Sequence, residues 1–241
     1  IVGSKTYTYM RFTDSCQNGA VSWAGVVELS VSDVLALQQS TEGSNAGNVL
    51  DANIQIVKLP DTAETFVLNA ITSDINVVDT NFSWGSTSQL DTSAFTFANG
   101  NKNIDVDNDG DYLVFASQYS DGDAVTRACI SLELKVNATV QAIARSSSYV
   151  RNTAGVDSGS LAVGALLTGL SANDSIYAYN DRLGTVSATV LNESGQISGI
   201  RLSSLFSDVV VVDVDFSKIS TITTLDTIPL VAATVLGFDQ A

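Results

Sequence analysis

Cys129-Ile130-Ser131-Leu132-Glu133-Leu134-Lys135-Val136 alternates without a break. Ile130, Leu132, Leu134 and Val136 fall on one face of an extended chain, and Ser131, Glu133 and Lys135 on the other. Period-two alternation is the signature of a β-strand with one buried face. Similar runs flank it: Tyr112–Tyr119, Thr139–Arg145, Ser175–Tyr179, Thr185–Leu191 and Val209–Phe216. Clusters of Asn, Asp, Gly and Ser separate these runs about every 8–12 residues, a spacing that predicts an all-β sandwich or barrel. Helix signals are scarce.

The 241-residue chain carries 11 Lys and Arg against 26 Asp and Glu, a net charge of −15, and no His. The absence of His excludes a Ser-His-Asp triad, a Cys-His pair and an HExxH zinc site. Negative charge opposes a nucleic-acid backbone, and the cations form no patch, so no nucleic-acid partner is expected. Hydrophobic residues make up 45% and charged residues only 15%, which separates the chain from acidic disordered sequences. Apolar runs such as Val209–Val212 are far shorter than a membrane span, so no insertion is expected. The start at Ile1, without Met or a secretory leader pattern, reads as a processed or partial chain. Two cysteines, Cys16 and Cys129, allow one disulfide or two unrelated buried thiols.

Three blocks recur in order. Tyr9-Met10-Arg11 resembles Tyr149-Val150-Arg151. Leu29-Ser-Val-Ser-Asp33-Val-Leu35 resembles Leu170-Ser-Ala-Asn-Asp174-Ser-Ile176. Ile56-Val-Lys58-Leu59 resembles Gly199-Ile200-Arg201-Leu202. The offsets are 140, 141 and 143 residues, so the chain contains a repeat of about that length. On this reading residues 1–59 are the second half of one unit, 60–205 a complete unit, and 206–241 a β-rich start of a further unit or a C-terminal extension. The repeat places Ser32–Gln39 on a strand despite its helix-forming composition. Half a sandwich cannot bury its inner face or pair its edges. Either the chain belongs to a longer tandem array or neighbouring copies complete its ends by strand exchange.

Within the complete unit, Gly110-Asp-Tyr112-Leu-Val-Phe115 is followed by Leu134-Lys-Val136-Asn137. Next come Leu170-Ser-Ala-Asn-Asp174-Ser-Ile176 and a final Ile200-Arg-Leu202. This series, over about residues 80–205, resembles the C1q/TNF-like jelly-roll superfamily, especially the versions in phage and bacterial surface proteins. One departure is Ala138, where the family often has Gly after the Asn. The resemblance implies a ten-stranded sandwich of two antiparallel sheets that assembles as a trimer through an apolar, aromatic-bearing sheet. By position it nominates Tyr112, Phe115, Tyr177 and Tyr179 for that interface; core filling is the alternative for each. It further implies a non-enzymatic structural protein on a virion surface: a capsid decoration, head fibre or tail appendage. Its partners would be neighbouring capsid or fibre subunits, or host surface glycans met by loops such as Ser120–Asp123 and Asn152–Gly159. The alternative is an extracellular bacterial filament or adhesin subunit completed by strand exchange.

Asp105-Val-Asp107-Asn-Asp109-Gly110-Asp111 resembles the start of an EF-hand loop, with oxygens at positions 1, 3 and 5 and Gly at 6. Position 12 is Ala116, where a bidentate Glu belongs, so these four Asp are weak Ca2+ candidates beside their reading as an acidic turn. Leu90-Asp91-Thr92-Ser93 matches the aspartic-protease tripeptide, with Asp226-Thr227-Ile228 a poor second, and a turn is the better reading. No GxGxxG or P-loop occurs, and no cofactor is expected.

Overall fold

The computed structural model describes residues 22–35, 55–70, 73–75, 80–81, 84–98, 102–122, 127–137, 139, 143–151, 158–183 and 190–205. Cys16, Val209–Phe216, Asp226 and residues 206–241 as a whole lie outside them, as does most of 1–59.

Among the described residues the strands are β1 (Thr65–Ala70), β2 (Ser73–Ile75), β3 (Thr80–Asn81), β4 (Trp84–Leu90), β5 (Phe95–Ala98) and β6 (Asn103–Val106). They continue with β7 (Gly110–Gly122), β8 (Arg127–Val136), β9 (Ala144–Arg151), β10 (Ser158–Leu170), β11 (Ser175–Leu183) and β12 (Val190–Arg201), and one 3-10 turn follows at Leu202–Ser204. Two antiparallel sheets form. Sheet A runs β10-β7-β12-β1-β4, with β2 added on β12; sheet B runs β5-β6-β11-β8-β9, with β3 added on β11. The two main paths are ten strands in two layers, so the fold is an antiparallel jelly-roll sandwich, as the alternation and the motif series predict. No described helix is long and apolar enough to cross a membrane.

The core lies between the sheets. Ile130, Leu132 and Leu134 of β8 face Tyr112, Val114 and Ala116 of β7, with Ile104, Val106, Ile176 and Ala178 filling between them. Phe66 and Phe95 meet edge to face at 4.9 Å, and Phe95 meets Tyr112 at 5.9 Å. Each of the large aliphatic and Phe side chains contributes on the order of 1.5–3 kcal/mol by leaving water. Phe66 has room because its neighbour on β12 is glycine. A Cβ on Gly199 would stand 2.4 Å from Cε1 of that ring.

Several boundaries differ from expectation. Thr139 is not in a strand, and β9 begins at Ala144 rather than near Thr139. The reason lies at Asn137, whose φ of 53° turns the chain before it can return along β8. Ser120–Asp123 is not a projecting loop over its described part. β7 runs through Gly122, Ser120 is fully buried, and it pairs with Gly159 on one side and Asn192 on the other. Of Asn152–Gly159, residues 158–159 already belong to β10, and 152–157 lie outside the described residues. The described part of Ser32–Gln39 is the end of a turn followed by unpaired chain, not a strand. Cys129 is an exposed free thiol rather than a buried one.

Candidate assembly surfaces

The acidic run Asp105–Asp111 sits at one end of the sandwich, where β6 turns into β7. Each carboxylate there accepts hydrogen bonds from the protein. Asp105 Oδ1 accepts from Asn103 Nδ2 at 2.5 Å and from the Ser175 hydroxyl. Asp107 accepts from Thr96 Oγ1 at 3.0 Å. Asp109 Oδ1 accepts from the Ala172 amide and Asp111 Oδ1 from the Gly169 amide, both at 2.7 Å. These last two bonds tie the β6–β7 turn to the end of β10 across about 60 residues of sequence. Among the described residues no three His, Cys, Asp or Glu side chains stand together as a metal site. The oxygens of Asp109 and Asp111 latch two turns together.

The same end explains the remaining motif residues. Gly110 has φ of 152°, and a Cβ there would lie 2.7 Å from the Ser203 hydroxyl. Tyr112 sends its ring into the core and donates its hydroxyl to the Asn108 carbonyl at 2.5 Å. Burial pushes that phenol up to about 12; Arg201 pulls it down, and Glu64, Asp107 and Asp109 add to the rise. Asn137, left-handed without a glycine after it, donates to Asp174 Oδ1 at 2.6 Å and accepts from the Ser175 amide at 2.9 Å. Arg201 pairs with Glu64 at 2.8 Å and donates twice to the Asp109 carbonyl, at 3.1 and 2.8 Å. Sequence reading singled out Arg201 only as a repeat landmark. Its opposite number there, Lys58, is the signal that a cation belongs at this strand end.

The Asp-Thr-Ser tripeptide is a turn between β4 and β5. Asp91 Oδ1 accepts from the Ser93 amide at 3.0 Å and from its hydroxyl at 2.6 Å. A groove of about 270 Å3 opens beside Val136, Ile143 and Leu166–Leu170. Its one carboxylate, Asp174, is already held by the Ser171 amide at 2.8 Å and by Asn137.

The four aromatics nominated for an interface do not share a surface. Tyr112 is fully buried in the core and cannot contact another subunit. Phe115, three residues along the same strand, points out of sheet A. An odd spacing along a strand puts two side chains on opposite faces, so the separation is legible in the sequence. Around Phe115 the outward row is apolar or small. Leu113 precedes it and Tyr119 follows on β7, while Ala162, Gly164 and Leu166 pair opposite on β10. Phe115 lies flat enough on its neighbour that a Cβ on Gly164 would meet its ring at 3.0 Å. The other flank of this face is covered. Val26 packs on Val67 and Ile200, and its amide donates to Ser198 Oγ at 3.1 Å.

Tyr177 and Tyr179 lie on the outward face of sheet B, 5.8 Å apart. Lys135 Nζ stands 4.1 Å over the Tyr179 ring and 3.4 Å from Glu133, which also pairs with Arg145. Glu133 and Lys135 are only 1% and 3% exposed, so this pair is desolvated, while the Arg145 side chain stays half exposed. A buried carboxylate without such partners costs several kcal/mol.

No protein-family model and no curated protein matches the sequence. Among solved structures, the chain is similar to the structure of Eiger TNF from S. frugiperda, with a TM-score of 0.44 and 16% identity. The match covers 58% of this chain and 92% of that one. The jelly-roll assignment above rests on strand order and register.

Proposed function

We propose that this chain is a non-enzymatic assembly protein, a trimeric component of a virion surface such as a capsid decoration, head fibre or tail appendage. The observation that carries the reading is the half-exposed row Leu113, Phe115 and Tyr119 with Ala162, Gly164 and Leu166 on sheet A. An aromatic over small residues, rimmed by polar chain, is the composition of an interface centre. Trimerisation through that row would leave sheet B and the acidic loops outward, toward capsid neighbours or host glycans. Net charge of −15 keeps such a β-rich particle soluble. Light scattering at micromolar concentration should give three times the chain mass of 25.3 kDa, and Phe115→Asp should give monomers that keep their β-sheet circular dichroism. A monomeric parent, or a trimer that survives Phe115→Asp, would sink this assembly mode. Gold-antibody labelling of the source material then separates virions from the alternative, cell-attached filaments, which the exposed apolar side chains of residues 22–35 and 55–59 favour.

A further inference from the structure

The turn at Ser30–Asp33 has the same construction as the turn at Ser171–Asp174. In the first, the Ser30 amide donates to Asp33 Oδ2 at 2.7 Å, the Asp33 amide donates to the Ser30 carbonyl at 3.0 Å, and Ser32 has φ of 79°. In the second, the Ser171 amide donates to Asp174 Oδ2 at 2.8 Å, the Asp174 amide donates to the Ser171 carbonyl at 2.9 Å, and Asn173 has φ of 75°. A left-handed serine is uncommon and costs about 1 kcal/mol. Its presence at the position of Asn173 extends the sequence repeat into backbone geometry.

The surroundings of the two copies differ. Leu170 and Ile176 are 5% and 1% exposed, whereas their counterparts Leu29 and Leu35 are 48% and 42% exposed. Of the ten large hydrophobics exposed among the described residues, eight lie in 22–35 and 55–59. In the complete unit the elements that enclose the buried set are known. Leu170 pairs with Gly110 of β7, and Ile176 pairs with Ile104 of β6 and Val136 of β8. Residues 22–35 have no strand partner among the described residues.

We infer that residues 22–35 and 55–59 form an interaction surface whose partner is the opening half of a jelly-roll unit. That partner offers strands of the β6, β7 and β8 kind: alternating apolar side chains to cover Leu29 and Leu35, and open backbone edges for antiparallel pairing. The turn at 30–33 is built in advance, so docking would order the flanking chain rather than refold it. This inference is independent of trimerisation through Phe115, because that row lies on the complete unit.

Thiol labelling tests it on the full chain. In a Cys16→Ser, Cys129→Ser background, Leu29→Cys and Leu35→Cys are each labelled with a maleimide. The same two variants are made with a second copy of residues 60–141 joined ahead of Ile1, and again with that copy scrambled. Labelling should slow about 100-fold with the native-order extension and stay fast with the scrambled one. Leu35→Asp should restore fast labelling at position 29, while the melting of the 60–205 unit is unchanged. Fast labelling in the native-order extension would overturn the inference. So would protection in the unextended chain that rises with its concentration, which would assign the surface to self-association.

Discussion

Gly199→Ala is the sharpest test of the core geometry. The new methyl would sit 2.4 Å from Cε1 and 2.7 Å from Cζ of Phe66, where carbon atoms prefer 3.5–4.0 Å. The ring must retreat by roughly 1 Å or more. It is fully buried and has Phe95 against it at 4.9 Å, so the retreat propagates through the aromatic row. Overpacking of this kind costs about 1–3 kcal/mol, and the locked ring puts Gly199→Ala at about 2–3. For a unit of this size that is a fall in Tm of about 5–10 °C. Phe66→Leu alone should cost about 1–2 kcal/mol through lost packing. It also vacates the space the methyl needs. The double variant should therefore lie close to Phe66→Leu, with a coupling of about 2 kcal/mol. Urea titrations of the four proteins, followed by circular dichroism, give all the terms. Gly199→Ala within about 0.5 kcal/mol of the parent, or a strictly additive double variant, would refute the packing described for β1 against β12.

Two further outcomes follow from the latched end. The Tyr112 phenol is raised by burial from 10.0 to about 12, so the folded state holds its proton more tightly than the unfolded chain does. Its stability contribution is complete below pH 10 and is lost as pH climbs from about 10 toward 12. Tyr112→Phe should remove that alkaline decline and lower stability near neutrality by about 1 kcal/mol, read from urea midpoints across pH. At Asn137, Ala loses the bonds to Asp174 and Ser175 and must also hold a φ of 53°, whereas Gly loses the bonds alone. Asn137→Ala should cost about 2–3 kcal/mol and Asn137→Gly about 1, by thermal or urea melts; equal losses would mean the turn is not strained.

Much of the sandwich was legible because its strands carry a clear binary pattern. The alternation of Ile130 to Val136 and the Gly110–Phe115 block named β8 and β7 directly. β12 was harder. Gly195-Gln-Ile-Ser-Gly199-Ile200 has little apolar alternation, because one face tucks under Phe66 and the other is roofed by residues near Val26. Tertiary contact decides that strand, not propensity. The acidic turn was ambiguous for a different reason. Carboxylates at alternate positions suit a cation or backbone amides equally well, and the Gly169 and Ala172 amides that Asp111 and Asp109 hold lie about 60 residues away in sequence. Tyr112 was assigned with Phe115, although their spacing along one strand already places them on opposite sides. Arg201 shows what sequence proximity cannot hold: its partners, Glu64 and Asp109, come from the far end of the unit and from another turn.

The register that seats Phe66 against Gly199 also orders events during synthesis. β12 is the middle strand of sheet A, flanked by β7 and β1, yet it is the last strand of the unit to leave the ribosome. The 79 residues between Gly122 and Arg201 take about 4–16 s to translate at roughly 5–20 residues per second. Throughout that interval β1 and β7 present two unfilled edges to any neighbouring nascent chain. A polysome making this chain therefore risks cross-threading, with the closing strand of one chain captured by the gap in the next. Slower elongation ahead of residue 190 would prolong that exposure, and dense packing of ribosomes on the message would raise the frequency of capture.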